Sequence, residues 1–489
     1  MSSHFSSWWA TSKKHSRGSI AAASGLVAIL VIITGIVWVS PEKVQQALVE
    51  TAESAVRTVN PLALENDKLQ KKVDTLQGTL SSQKTSFTNE RTNYVKQLAD
   101  QAKQLASAQQ RATSAERALA DAKSKPATQP SGSTGGAPKP GKPGNTGGNG
   151  PTPVTAPSKE ELVSPTSRYF GLYTEQAPFN WATLDNTAAK IGVQPGLVGY
   201  FQGWDQPFRA DAVTRSWQKG ALPMMTWESR PITSGNDQVN EPEYTLPKIL
   251  GDPDAGVPGA YDDYIRQYAK DIVANGLPLA MRFNHEMNGI WYPWSEMDGK
   301  GNPINGNRPG DYVKVWKHVH DIFEQEGANS LVIWVWAPNI INNLPAHHQK
   351  PDYLASLFPG DDYVDWVGLS GYLRPAYKPD NDFTFGYTFN KSLNALRALT
   401  AKPIVLAEVG ASETGGHKPA WVKSVFDGLS EPANADVIGI SWFSLAVTTY
   451  VEGVRGTNDW RVDSRADSLA AFIAGLTKPE ANFDLRPPS

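Results

Sequence analysis

The stretch Leu277–Trp294, LPLAMRFNHEMNGIWYPW, decides how the chain reads. It opens as a buried strand, with Leu277, Leu279 and Met281 apolar, and ends in a turn rich in Asn, Gly and Pro. Arg282, His285 and Glu286 fall where strand gives way to loop, and Trp291, Tyr292 and Trp294 follow. A carboxylate set between a cation, an imidazole and indoles is poor core material, whereas it suits a sugar ring held beside an acid. The plainer alternative is a surface loop whose aromatics cap the core and whose Glu is solvated.

Outward from this stretch, seven more short apolar runs share its strand character. Before it lie Tyr169–Leu172, Leu197–Tyr200 and Leu222–Trp227; after it come Leu331–Trp336, Val364–Leu369, Ile404–Ala407 and Val437–Trp442. Helix-period segments separate them. One places Ile265, Tyr268, Ala269 and Ile272 on a face, and another Tyr312, Val315, Trp316, Val319 and Phe323. Eight β-α alternations predict an α/β fold of the (β/α)8 TIM-barrel type over residues 164–489. A doubly wound open sheet is the rival, but no Gly-rich phosphate loop follows the first strand.

The segments before residue 164 differ in kind. Residues 1–19 form a basic tail, and Ile20–Val39 is an uncharged apolar run preceded by Lys13, Lys14 and Arg17. At about 1.5 Å per residue such a helix spans the ~30 Å hydrocarbon core. The basic flank predicts a cytoplasmic N-terminus, and hence a single-pass plasma-membrane protein whose C-terminal part faces the outside or the cell wall. A cleavable signal would have a shorter apolar region and a small-residue cleavage site. Residues 40–124 are expected to be helical. Leu69, Val73, Leu76, Leu80 and Phe87 follow an a/d pattern, and Leu98, Ala102, Leu105, Ala112 and Leu119 resume it in another phase after a slip near Tyr94. The segment reads either as a coiled-coil stalk that makes a homodimer or as a lone helix. Residues 125–163, rich in Pro, Gly, Ser and Thr, are expected to be a linker without a core.

Composition narrows the function. A formal net charge of -3 over 489 residues gives no reason to expect a nucleic-acid partner, and the absence of Cys removes disulfides and thiol chemistry. Sixteen Trp, most of them after residue 180, suit the flat apolar faces of sugars as well as a large core. His318 and His320 fall on a helix, and His347 and His348 sit in a loop without the spacing or acidic company of a metal site; a two-carboxylate mechanism would need neither metal nor organic cofactor.

In a (β/α)8 barrel the chemistry collects at the C-terminal strand ends. Those ends carry Gln202 and Trp204, then Trp227 and Glu228, His285 and Glu286, Trp336 and Asn339, Tyr372, Glu408 and Trp442. Two carboxylates on opposite strands can flank a glycosidic bond. At ~5–5.5 Å apart they give double displacement with retention, and at ~6.5–9.5 Å inversion. Glu286, beside Trp291, suits the acid. Glu408 suits the ionised partner, held by Tyr372 and Arg282; by itself it would read as a helix cap or a surface ion pair. Glu228 is open between binding a sugar hydroxyl and pairing with Arg230. Trp204, Trp336 and Trp442 divide between sugar platform and core, with Trp442 the best platform and Trp336 the best core residue.

These residues resemble glycoside hydrolase family 26, within the clan of retaining (β/α)8 glycosidases, over residues 164–477. The most specific piece is Arg-x-x-His-Glu-Met-Asn-Gly-x-Trp-Tyr-Pro-Trp, Arg282 to Trp294. The resemblance implies that Glu286 is the acid/base and Glu408 the nucleophile. It implies further that His285 matches the family's His, Trp291 its sugar-stacking Trp, Tyr372 the Tyr bonding the nucleophile and Trp442 the indole closing the eighth strand. The substrate so implied is β-1,4-mannan, with mixed-linkage β-1,3/1,4-glucan and β-1,3-xylan as alternatives; a polysaccharide-binding wall tether is the non-catalytic alternative. The sequence departs from typical mannanases at Phe283–Asn284, where they carry Pro-Phe, and at Glu228, where they carry His after the Trp.

Overall fold

The computed structural model describes residues 70–71, 154–235, 238–451 and 454–488. The expected membrane helix at 20–39 and nearly all of the stalk and linker lie outside them. Among the described residues no helix is long and apolar enough to cross a membrane.

Eight parallel strands close into one barrel in sequence order. They are β1 (Tyr169–Tyr173), β2 (Leu197–Gly203), β3 (Leu222–Glu228), β4 (Leu279–Phe283), β5 (Val332–Trp336), β6 (Trp366–Leu373), β7 (Ile404–Ala411) and β8 (Val437–Phe443). Pairing of Tyr169 with Gly439 through Tyr173 with Phe443 joins the last strand to the first. All eight predicted strands are present. Their apolar runs are nearly continuous because the strands are buried on both faces, by the barrel interior and by the helices.

The helices follow the expected pattern. Lys159–Val163 forms α1, Ala182–Ile191 α2, Ala210–Gln218 α3, Leu246–Leu250 α4, Asp262–Asn275 α5 and Asp311–Gln325 α6. In α5, Asp262 and Asp263 occupy the first turn, where the helix dipole favours anions, and Gly276 ends the helix in a left-handed conformation at φ 68°. Ile265, Tyr268, Ala269 and Ile272 are the buried side of α5, and the predicted apolar face of α6 is likewise buried. Further on lie α7 (Pro351–Ser356), α8 (Lys391–Leu399), α9 (Lys418–Ser430) and α10 (Ala466–Leu476).

Two features differ from expectation. The helix α1 occupies the last five residues assigned to the linker. Ser158 and Glu161 cap it reciprocally, Leu162 enters the core, and Lys159 pairs with Asp365 at 2.8 Å. The capping box at Ser158-x-x-Glu161 is the local signal for that helix. In addition, an antiparallel hairpin, β9 (Ala446–Val451) with β10 (Val454–Asp459), stands between β8 and α10.

The N-terminal face of the barrel is tied by buried polar groups. The Arg168 guanidinium donates to the carbonyls of Val437, Ala481 and Asn434 at 2.7, 2.7 and 2.9 Å. This stitches the C-terminal tail beneath β8 and leaves the opposite rim for the site.

Candidate active site

Strand β4 delivers Arg282 into the barrel, where it is completely buried. Its Nη1 donates to Glu408 Oε1 at 2.7 Å, Tyr173 OH at 2.6 Å and Thr226 Oγ1 at 3.0 Å. Burial works against the guanidinium charge, but Tyr173 and Glu408 more than offset it, and its pKa rises. On β7, Glu408 takes a second donor, Tyr372 OH, on Oε2 at 2.5 Å. Gly410 lies beneath the Tyr372 ring; a Cβ there would come within 2.8 Å of it.

Just past β4 the backbone turns sharply. Asn284 and Glu286 adopt positive φ, 43° and 53°. Such left-handed conformations cost about 1–3 kcal/mol each outside glycine and persist only where the surroundings over-determine them. Here Asn284 N donates to Trp227 O at 3.0 Å, its side chain exchanges two hydrogen bonds with Ser229, and Glu286 N donates to Ala337 O at 2.7 Å. The turn is therefore pinned to the neighbouring strands on both sides, and it aims the Glu286 carboxylate at the rim. Trp291 Nε1 donates to one of its oxygens and Asn339 Nδ2 to the other, each at 2.8 Å. Burial, then the charge of Glu408, pushes the Glu286 carboxyl up from its ordinary value against the opposing pull of Arg374, Asn339 and Trp291. The result is a carboxyl biased toward its protonated form near one anchored by a buried guanidinium.

His285 lies beside both. Its Nε2 is 3.8 Å from Glu408 Oε1 and 3.2 Å from Tyr292 OH. Its Nδ1 is 3.9 Å from Glu228 Oε1. Burial, with the positive charge of Arg282 and Arg230, keeps the ring neutral, its pKa well below the usual value. Glu228 is paired with Arg230 at 3.0 Å, and both are buried. The structure thus brings Arg282, His285, Glu286, Trp291, Tyr372, Glu408 and Glu228 to one site.

Trp442 and Trp204 do not join them, and both platform expectations are corrected. Trp442 is fully buried, donates to Trp460 O at 2.7 Å, and packs against Phe472 and Trp421. Side chains alternate along a strand, so the residue facing the site is its neighbour Phe443. Phe443 meets Tyr173, Tyr372 and Trp460 at centroid distances of 5.5, 5.9 and 5.6 Å. Trp204 is buried in an aromatic cluster with Trp227, Tyr261 and Tyr264, stacked 5.9 Å from Phe283. Trp336 is core, with Nε1 on Leu357 O.

Asn339, on the rim as its strand end implies, has the unforeseen task of holding Glu286, and Trp460 joins the site without any barrel-strand end to mark it. Trp460 follows β10 directly and lies 5.1 Å from Tyr372. No local signal marks it, because the hairpin carries it back from outside the barrel repeat. His318 bonds Asp262 at 2.6 Å, and buried His348 bonds Asn288 O at 2.9 Å. Among the described residues no group of three His, Cys, Asp or Glu is placed to hold a metal ion.

A closed (β/α)8 barrel with Glu286 and Glu408 buried on its C-terminal rim, and Glu228 behind them, has the carboxylate-lined rim of a glycoside hydrolase. Residues 196–422, which run from β2 into α9 of the barrel, match the model of glycosyl hydrolase family 26. Endoglucanase H of Acetivibrio thermocellus is 31% identical over 335 residues, covering 64% of this chain and 32% of that protein. Mannan endo-1,4-beta-mannosidase of Bacillus subtilis strain 168 is 25% identical over 267 residues, 50% of this chain and 66% of that one. A solved Bacillus subtilis mannanase aligns with TM-score 0.43 and 19% identity over 67% of this chain and 93% of that chain. The chain therefore spans about a third of the first relative and just under two thirds of the second.

Proposed function

We propose that this protein is a retaining endo-β-glycanase that hydrolyses β-1,4-mannan by double displacement. The observation that carries the reading is the unlike setting of the two carboxylates, Glu408 held by Arg282 and Tyr372 and Glu286 buried against Trp291 and Asn339. Glu408, gripped by Arg282 and Tyr372, attacks the anomeric carbon. Glu286, whose protonated form is favoured by burial, gives its proton to the departing oxygen and then withdraws one from the incoming water. Trp291 orients Glu286 and presents its indole at the rim. Mixed-linkage glucan is the second reading. Glu228 favours it, standing where typical mannanases carry His, and so does the match to a protein named as an endoglucanase.

We assign residues 20–39 to a membrane anchor, with the barrel outside the cell, residues 62–124 to a stalk that pairs two chains, and residues 125–158 to a spacer. The uncharged run behind a basic flank supports the anchor, and the a/d pattern supports the stalk. Deleting 20–39 should release the protein from sedimented membranes, and deleting 62–124 should halve its detergent-solubilised mass.

Activity is tested by incubating the full chain and its Glu408→Ala variant with mannan, glucomannan, mixed-linkage glucan and β-1,3-xylan, and counting new reducing ends. Release by the parent alone is expected, most from mannan. Binding without release by either protein would make the barrel a polysaccharide tether.

A further inference from the structure

Glu228 is a buried carboxylate that the two-carboxylate mechanism does not use. It closes a circuit behind His285. Arg230 donates to both of its oxygens, at 3.0 and 3.3 Å, and lies 4.8 Å over the ring of Tyr292. The Tyr292 hydroxyl is 3.2 Å from His285 Nε2, and His285 Nδ1, 3.9 Å from Glu228 Oε1, has no hydrogen-bond partner. Arg230 occupies both Glu228 oxygens with a two-pronged ion pair, which holds an acceptor-only carboxylate toward Nδ1 against the burial that raises its pKa.

A neutral imidazole carries one proton, and the nitrogen that holds it is set by the ring's partners. With the proton on Nε2, the Nδ1 lone pair would be buried without a donor and turned toward an anion. With the proton on Nδ1, the N–H faces Glu228, and Nε2 accepts from Tyr292. Only the second arrangement leaves both nitrogens favourably placed.

We infer that Glu228 is a positioning residue that fixes the proton of His285 on Nδ1, so that His285 offers no hydrogen bond to Glu408. The consequence falls on the nucleophile. In the other tautomer an Nε2–H would stand 3.8 Å from Glu408 Oε1, within a small ring movement of becoming a third donor beside Arg282 and Tyr372. A carboxylate so bonded is a weaker nucleophile. The effect on rate rests on the glycanase reading, whereas the tautomer does not.

The test is 15N NMR of the full chain labelled in histidine, with His285 assigned through His285→Asn. The parent should show a protonated Nδ1 and a bare Nε2. Removing the ion pair as a unit, in Glu228→Leu/Arg230→Met, avoids stranding a buried charge; it should move the proton to Nε2 and lower kcat/KM about 10–100-fold, the size of effect that outer-shell partners have when they orient a metal-bound His. Tyr292→Phe should keep the proton on Nδ1. An Nε2-protonated parent, or a double variant with its tautomer unchanged, would overturn the assignment. A moved proton with unchanged kcat/KM would overturn the positioning role. A parent inactive on every polymer would refute the glycanase reading while leaving the tautomer result to stand or fall by itself.

Discussion

Replacing Tyr372 with Phe removes one of the two donors on Glu408 and little else. The ring keeps its contacts with Trp460 and Phe443, and Arg282 keeps its bond at 2.7 Å. The lost O–H···O bond, 2.5 Å to a buried carboxylate, is charge-assisted. Such bonds contribute about 1.5–3 kcal/mol, which at 1.36 kcal/mol per decade is roughly 10- to 150-fold in rate. In double displacement the Glu408 charge vanishes as the covalent intermediate forms and returns as water breaks it. The loss should therefore fall mainly on the second step. We expect kcat for the preferred polymer to drop by that factor and KM to fall with it, as glycosyl-enzyme accumulates. Intact-protein mass spectrometry after rapid acid quench should then show the glycosyl adduct. A fall in kcat with unchanged KM and no adduct would refute this division of labour.

Three further outcomes follow from named contacts. Trp291→Phe removes a hydrogen bond that favours ionised Glu286, so its pKa should rise further and the alkaline limb of kcat/KM, where the acid loses its proton, should move to higher pH; a shift to lower pH would contradict the acid assignment. Trp442→Ala should lower unfolding free energy by about 3–5 kcal/mol in urea, while Trp460→Ala should chiefly raise KM; the reverse pattern would restore Trp442 as the platform. Arg168→Met strands three buried carbonyls and should cost about 3 kcal/mol or more in the same titration, with KM unchanged.

The barrel was legible because each strand is an apolar run sandwiched between two buried faces, and because the long helices repeat their apolar residues at helical spacing. The site was legible where a residue's position followed from a strand: Arg282, Tyr372 and Glu408 stand on β4, β6 and β7, and Glu286 follows β4 by one turn. It was not legible where a one-residue step decides the face. Trp442 and Phe443 are adjacent aromatics at the end of β8, and sequence favours the indole, while the pleat turns it toward the helices. Trp204 misled in the same way, one residue past β2. Trp460 was hidden for another reason, since a hairpin that no barrel repeat anticipates brings it to Tyr372. The Glu228–Arg230 pair was foreseen as one of two options, but its link to His285 depends on distances that no spacing encodes.

Double displacement at Glu408 is tested most directly by the anomeric form of the first product. Proton NMR during the first minutes of hydrolysis, before mutarotation, distinguishes the two outcomes. Retention requires the β-anomer to appear first, with the α-anomer following at the spontaneous rate. An α-anomer formed first would mean a single displacement by water and would remove Glu408 from the role of nucleophile.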